Sequence, residues 1–198
     1  MEMSVTSKIE IRKHILEQRK QVSPEQRAIW DKAILEQLKA FGFPGKEPVV
    51  CCYVSVRGET GTDEIIRWLH SLGVRVALPR VCGKTMGFYY CDSLKALQPG
   101  AFGIPEPGPD CIPVREESAP VIVPGVAFSE SFHRIGYGAG YYDRFFAEEP
   151  LHPRIAICYD FQLFRDFPAD PYDKPMHAIL TPTDVFSQKW MNTCGIKL

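Results

Sequence analysis

Between Val49 and Leu78 the chain passes from a continuous apolar run, through a segment of helical period, into a second apolar run. Val49-Val50-Cys51-Cys52-Tyr53-Val54 lacks the polar alternation of a half-exposed strand and predicts one buried on both faces. Thr62 stands where it can cap a helix from Asp63 to Leu72, Gly73 ends that helix, and Val74 to Leu78 predicts a second buried strand. Strand, helix, strand at this spacing is a βαβ unit, with parallel strands and a right-handed crossover. That unit commits the chain to the α/β class.

The flanking segments extend the pattern. Ser7 can cap a helix that carries Ile9, Ile11, Ile15 and Leu16 among Lys8, Arg12, Lys13 and Arg19. Ser23-Pro24-Glu25-Gln26 starts a second helix, with Ser at the cap and Pro in the first turn, running through Ile34, Leu35 and Leu38 to Gly42. Residues 1–42 thus predict a helical hairpin packed on the main body. Met86 to Tyr90 predicts an edge strand, and Gln98 to Pro113, crowded with Pro and Gly, a loop. Val121-Ile122-Val123 resumes as a strand that ends at Pro124-Gly125; Tyr141 to Ala147 should be helical, and Arg154 to Tyr159 and Ala178 to Thr181 supply the last strands. The expected architecture is one α/β domain over 1–198, with a mostly parallel central sheet flanked by helices.

Charge and cysteine usage exclude several functions. Lys and Arg total 23 against 24 Asp and Glu, so no long-range positive field exists to hold nucleic acid. An anionic ligand must be small and captured locally. The cysteines at 51, 52, 82, 91, 111, 158 and 194 are odd in number and lack C-x-x-C spacing, which predicts reduced thiols rather than disulfides or a zinc site. No signal peptide and no apolar run of membrane-spanning length is visible, so a soluble, cytoplasmic protein is expected. His14, His70, His133, His152 and His177 are scattered without zinc spacing and are expected to be surface or hydrogen-bonded structural residues; Trp30, Trp68 and Trp190 read as packing anchors.

The stretch from Pro124 to Phe146 carries the chemistry. Gly136, Gly138 and Gly140 alternate directly before the predicted helix, a turn that aims several N–H groups at one spot beside a helix N-terminus. Arg134 adds a forked donor for phosphate, and Asp143 stands where a carboxylate could hold magnesium. A phosphate cradle is one reading; a glycine turn in which Tyr141 and Tyr142 simply pack on the sheet is the other. The dinucleotide fingerprint fails because Tyr141 occupies the position of its third glycine. Gly83-Lys84-Thr85 lacks the earlier P-loop glycine, since position 78 is Leu, and reads as a turn.

The run from Arg134 to Asp143 resembles the ATP-binding signature of the 5-formyltetrahydrofolate cyclo-ligase family, R-x-G-x-G-x-G-Y-Y-D, preceded by the family's P-G-x-x-F at Pro124 to Phe128. Lys8-Ile-Glu-Ile-Arg12 is similar to the family's N-terminal K-x-x-x-R, and Ser23, Glu25 and Arg27 follow its S-x-E-x-R. Tyr53-Val-Ser-Val-Arg-Gly-Glu59 with Thr62 resembles its folate-contacting strand end, and Gly103-Ile-Pro-Glu-Pro107 its central loop. Many members have Lys where this chain has Ala139, and an Asp where it has His177.

The resemblance implies an ATP- and magnesium-dependent enzyme that converts 5-formyltetrahydrofolate, with or without a polyglutamate tail, to 5,10-methenyltetrahydrofolate through a phosphorylated formyl group. It also implies roles for individual residues. Lys8, Arg12 and Arg134 would bind the triphosphate, cradled by Gly136, Tyr137, Gly138, Ala139, Gly140, Tyr141 and Tyr142. Arg134 and Tyr142 would act on the reacting groups, and Tyr141 would help orient the formyl or phosphate oxygens. Asp143 and Asp173 would hold magnesium; Glu59 would accept from the pterin N–H edge, and Val54 would face the folate's apolar body. The expected protein is a monomer that needs neither nucleic acid nor membrane. Two other readings use the same residues: a catalytically idle nucleotide- or folate-binding protein, favoured by Ala139, and a kinase-like enzyme on another small acid.

Overall fold

A computed structural model describes residues 7–188. Trp190 and Cys194 therefore lie outside the described residues.

The sheet is built on the apolar runs. Its strands are β1 (Val49–Cys51), β2 (Arg75–Cys82), β3 (Thr85–Tyr90), β4 (Val121–Val123), β5 (Arg154–Ile157), β6 (Ala178–Leu180) and β7 (Val185–Ser187). They lie in the order β7-β6-β5-β4-β1-β2-β3. The five central strands are parallel, and β3 and β7 run antiparallel at the two edges. Buried strands need cover on both faces, and alternate residues supply it. Val50 and Cys52 join Ile122, Ile155 and Ile157 beneath α2 (Pro24–Ala40) and α3 (Asp63–Ser71). Val49 and Cys51 face the other way with Val121, Val123 and Ala156, under Phe145 and Phe146 of α4 (Tyr141–Glu148).

The two N-terminal helices serve different surfaces. α2 is capped by Ser23, whose Oγ accepts from the Gln26 N–H at 3.2 Å, and buries Ile34, Leu35 and Leu38 on the sheet. α1 (Lys8–Gln21) instead buries Ile11 and Ile15 against Val126, Ala127, Ile135 and Phe167. Ala127 and Ile135 belong to a small three-stranded sheet (Ala127–Ser129, Arg134–Ile135 and Leu163–Phe164) just beyond the end of β4, Val126 leads into it and Phe167 follows it.

Several local expectations change in detail. Thr62 holds the N-cap position of α3, but its hydroxyl donates to the Tyr53 carbonyl at 2.7 Å and accepts from the Ser55 N–H, fastening the loop after β1 instead of capping the helix. β2 runs past the expected stop at Leu78 because beyond Ala77 it pairs, among the described residues, with β3 and no longer with β1, so Pro79 costs no bond to β1. The 98–113 loop contains a short antiparallel pair, Gln98–Pro99 with Pro105–Glu106. Gly83-Lys84 is the turn between β2 and β3, with Gly83 at φ 62°, and Thr85 opens β3.

Trp30 and Trp68 pack on the core, as expected. The six described cysteines are free thiols, four of them buried. Among the described residues no helix is long and apolar enough to cross a membrane.

His177 is buried between β5 and β6: the Arg154 N–H donates to its Nδ1 at 3.0 Å, and the Arg154 guanidinium lies beside the ring. Burial first, and the Arg154 charge second, push its pKa down to about 3. A folded-state pKa below the unfolded value means that stability is fully present above about pH 6.5 and is lost as pH falls toward 3. Between pH 6.5 and 5 the loss should be about 2 kcal/mol. Chemical unfolding of wild type and His177→Asn at both pH values checks this; an equal loss in the two proteins would assign the acid sensitivity elsewhere.

Candidate active site

The strand order reverses between β1 and β4. From β1 the chain crosses through α3 on one face, while the segment after β4 returns through α4 on the other. In an open parallel sheet this divergence leaves a crevice beyond the carboxyl ends of the two strands, which is where such folds bind ligands. Here the crevice is a cavity of about 810 Å³. Its floor is Tyr53 and Val54 after β1 and Pro124 after β4.

The glycine loop forms one wall. Arg134 sits on the short strand paired with Ala127–Ser129, which fixes its direction. Its side chain is buried, donates to Asp143 Oδ2 at 3.0 Å, and lies over the Tyr142 ring at 5.4 Å. A Cβ on Gly136 would stand 2.6 Å from Arg134 Nη1, so only glycine leaves that guanidinium its place. Gly140 turns into α4 at φ 68°, a left-handed conformation that costs glycine nothing. The N–H groups of Gly138, Ala139 and Gly140 donate to no described residue.

α1 and the 170–173 loop close the basic side. Lys8 Nζ bonds Asp170 at 2.5 Å and also Asp173. Burial alone would pull the Lys8 pKa down, but these two carboxylates outweigh it and raise it; Asp173, also partly buried, is lowered by the same contact. Arg12 Nε donates to the Gly136 carbonyl at 2.8 Å, tying α1 to the glycine loop. The Lys174 N–H donates to Asp143 Oδ1 at 3.3 Å, which brings Asp143 up to the residue that follows Asp173. Two of the three predicted phosphate-binding cations, Lys8 and Arg134, therefore meet the predicted metal carboxylates Asp173 and Asp143 as ion pairs, while Arg12 holds the glycine loop.

Glu59 lies in the loop after β1, 8% exposed, with Oε2 accepting from the Val56 N–H at 2.9 Å. Burial raises its pKa against the pull of that bond and of Arg19. Asp31 holds this loop from α2, accepting from the Gly61 N–H and the Tyr159 hydroxyl, each at 2.9 Å. Tyr142 has a buried hydroxyl with no hydrogen-bond partner among the described residues; burial first, then the Glu59 charge, drives its pKa well up. Such an orphan at a cavity wall suits a ligand acceptor.

All fourteen residues singled out in the sequence line this one cavity. Sequence reasoning missed its opposite wall: Pro79, Val81 and Met86 of the β2–β3 pair, and Phe102, Ile104 and Glu106 of the central loop. Phe102 packs edge-on to Tyr141 at 6.0 Å, and its carbonyl accepts from Arg57 at 3.1 Å. It missed Arg144 as well, which donates to the carbonyls of Ala139 and Lys84 at 2.9 and 3.1 Å and so joins the glycine loop to the β2–β3 turn. The arginine's position right after the Gly-Tyr-Tyr-Asp core was the signal for it.

A sequence profile of the 5-formyltetrahydrofolate cyclo-ligase family matches residues 4–182. The chain belongs to that family. It is thus an enzyme of the cyclo-ligase kind, as similar proteins also indicate. The 5-formyltetrahydrofolate cyclo-ligase of Mycolicibacterium smegmatis is 32% identical over 188 residues, covering 91% of this chain and 96% of the relative. The Escherichia coli cyclo-ligase is 27% identical over 180 residues, covering 87% and 98%. Among solved structures, the 5,10-methenyltetrahydrofolate synthetase of Aquifex aeolicus aligns with TM-score 0.79 at 30% identity, over 92% of this chain and 93% of that one. The Mycoplasma pneumoniae synthetase aligns with TM-score 0.74 at 25% identity, over 89% and 99%. The chain thus shares its overall fold with two solved methenyltetrahydrofolate synthetases.

Proposed function

We propose that this chain is a monomeric, cytoplasmic enzyme that uses ATP to convert 5-formyltetrahydrofolate, with or without a polyglutamate tail, to 5,10-methenyltetrahydrofolate, ADP and phosphate. The observation that carries the reading is the cavity itself: one space at the switch point joins a basic, glycine-lined wall to a buried carboxylate and an apolar wall.

Glu59, as a carboxylate, accepts from two adjacent pterin N–H donors, and Val54 with the apolar wall covers the ring system. Lys8, Arg12 and Arg134 bind the triphosphate, and the unengaged N–H groups of the glycine loop cradle it. The donor set suits magnesium, which takes one or two carboxylates together with phosphate oxygens: Asp143 and Asp173 would hold it, and it would neutralise phosphate charge there.

The formyl oxygen attacks the γ-phosphorus and ADP departs with the electron pair of the broken P–O bond, leaving an iminium phosphate. The nitrogen at position 10 then adds to the activated carbon, loses its proton, and phosphate leaves as the ring closes. Such chemistry depends on positioning and charge neutralisation more than on a strong base. Arg134, which donates to Asp143 and to the Pro124 carbonyl, keeps a fixed cation at the phosphates, and the Tyr142 hydroxyl is placed to orient an oxygen.

The test is to mix protein, magnesium-ATP and 5-formyltetrahydrofolate and follow methenyltetrahydrofolate absorbance. An ATP-dependent rise that disappears without magnesium is expected. Binding of both ligands without product would replace this reading with the idle binder that Ala139 favours.

A further inference from the structure

Arg19 has no part in the mechanism above, yet it is one of the most enclosed side chains in the protein, at 2% exposure. No carboxylate lies within ion-pair distance of it among the described residues. A buried cation without an ion pair is costly unless something compensates it. Its hydrogen bonds show where it is aimed. Nη1 donates to the Tyr137 hydroxyl at 2.8 Å, and Nη2 donates to the Gly125 carbonyl at the end of β4. Its own carbonyl accepts from Arg27 Nη2 at 2.8 Å, which fixes the end of α1.

Tyr137 belongs to the glycine loop and lines the cavity; the residue is 40% exposed while its hydroxyl accepts from Arg19. An hydroxyl that accepts from a guanidinium has its proton left to give, and the carboxylate on its other side is Glu59. The groups that face Glu59 are Arg57 from its own loop, Tyr53 from the end of β1, Arg19 from α1, Tyr137 from the glycine loop and Tyr142 from α4. Of the two cations, Arg57 lies on an exposed turn, so Arg19 is the one that water does not screen.

We propose that Arg19 is a positioning residue for the folate: it aims the Tyr137 hydroxyl at Glu59 and supplies the buried counter-charge that lets Glu59 meet the pterin as a carboxylate. The proposal rests on the folate reading given above. It also links the two halves of the cavity, because one guanidinium sets both a residue of the phosphate loop and the group that receives the other substrate.

Calorimetry on wild type, Arg19→Lys, Arg19→Met and Tyr137→Phe, with 5-formyltetrahydrofolate and with magnesium-ATP separately and at pH 6, 7 and 8, tests it. Arg19→Met should weaken folate binding by roughly tenfold at pH 7, more at pH 6 and less at pH 8, because Glu59 without its counter-charge takes up a proton more readily. ATP affinity should stay within about twofold, and Arg19→Lys should recover most of the folate affinity. If Arg19→Met does not fold, Tyr137→Phe, which removes only the hydroxyl, should still show about a threefold folate-selective loss with the same pH trend. Wild type that binds neither ligand would overturn the folate reading itself. Wild type that binds both, with variants that lose neither, lose both equally, or lose folate affinity independently of pH, would overturn the role of Arg19 alone.

Discussion

Arg134→Ala is expected to weaken ATP binding at least about thirtyfold, close to 2 kcal/mol, and to lower turnover by about a hundredfold or more. The guanidinium is 6% exposed, in a wall where water does little to replace it. Its removal takes away a forked donor to phosphate and leaves Asp143, now without that cation, facing the same phosphates. Like charges in a poorly screened site add to the loss. Arg134→Lys should restore the charge but not the fork, recovering binding more than turnover. Calorimetry with magnesium-ATP and single-turnover kinetics separate the two effects. ATP affinity unchanged in Arg134→Ala, in a protein that still melts cooperatively, would remove the phosphate cradle from the account.

Glu59→Ala should harm folate binding about a hundredfold while leaving ATP affinity within a factor of about two. Glu59→Gln is the sharper variant. It keeps the shape and can still accept from the Val56 N–H, but it offers one acceptor oxygen to a donor pair that needs two. Its effect on stability should have the opposite sign. Burial raises the Glu59 pKa, so the ionised side chain opposes folding, and a neutral amide should melt at the same temperature or higher. A variant that binds folate poorly and is no less stable is what a recognition residue produces. Equal loss of ATP and folate binding, with a lower melting temperature, would mean that Glu59 is a structural residue.

What the sequence disclosed depended on the length and regularity of each signal. The strands that build the sheet centre were legible because burial on both faces demands uninterrupted apolar runs, as at Val49–Cys51 and Val121–Val123. The glycine loop was legible because its backbone conformations admit few other residues. Two-residue strands, such as Arg134–Ile135 and Leu163–Phe164, are too short to display either a period or an apolar run, so the small sheet under α1 was invisible. In the sequence Arg19 stood only as one of the charges set among the apolar positions of the first helix. In fact it continues the inward stripe of Ile11 and Ile15 at a spacing of four, and a cation on an apolar stripe is the signal that was available. The family resemblance supplied the roles of Glu59 and Asp173, which no local pattern carried.

α1 contributes Lys8, Arg12 and Arg19, yet its partners Asp173, Gly136 and Tyr137 lie 165, 124 and 118 residues further along the chain. During synthesis α1 therefore cannot find its seat until the chain has been made as far as Asp173. Contacts of such separation form late, because the loop they close must already be organised. The sheet with α2, α3 and α4 has a core of its own, and docking of α1 completes the cavity rather than that core. Catalytic competence should then lag behind secondary structure during refolding: circular dichroism recovers first, and turnover follows as the helix locks the two halves of the chain together.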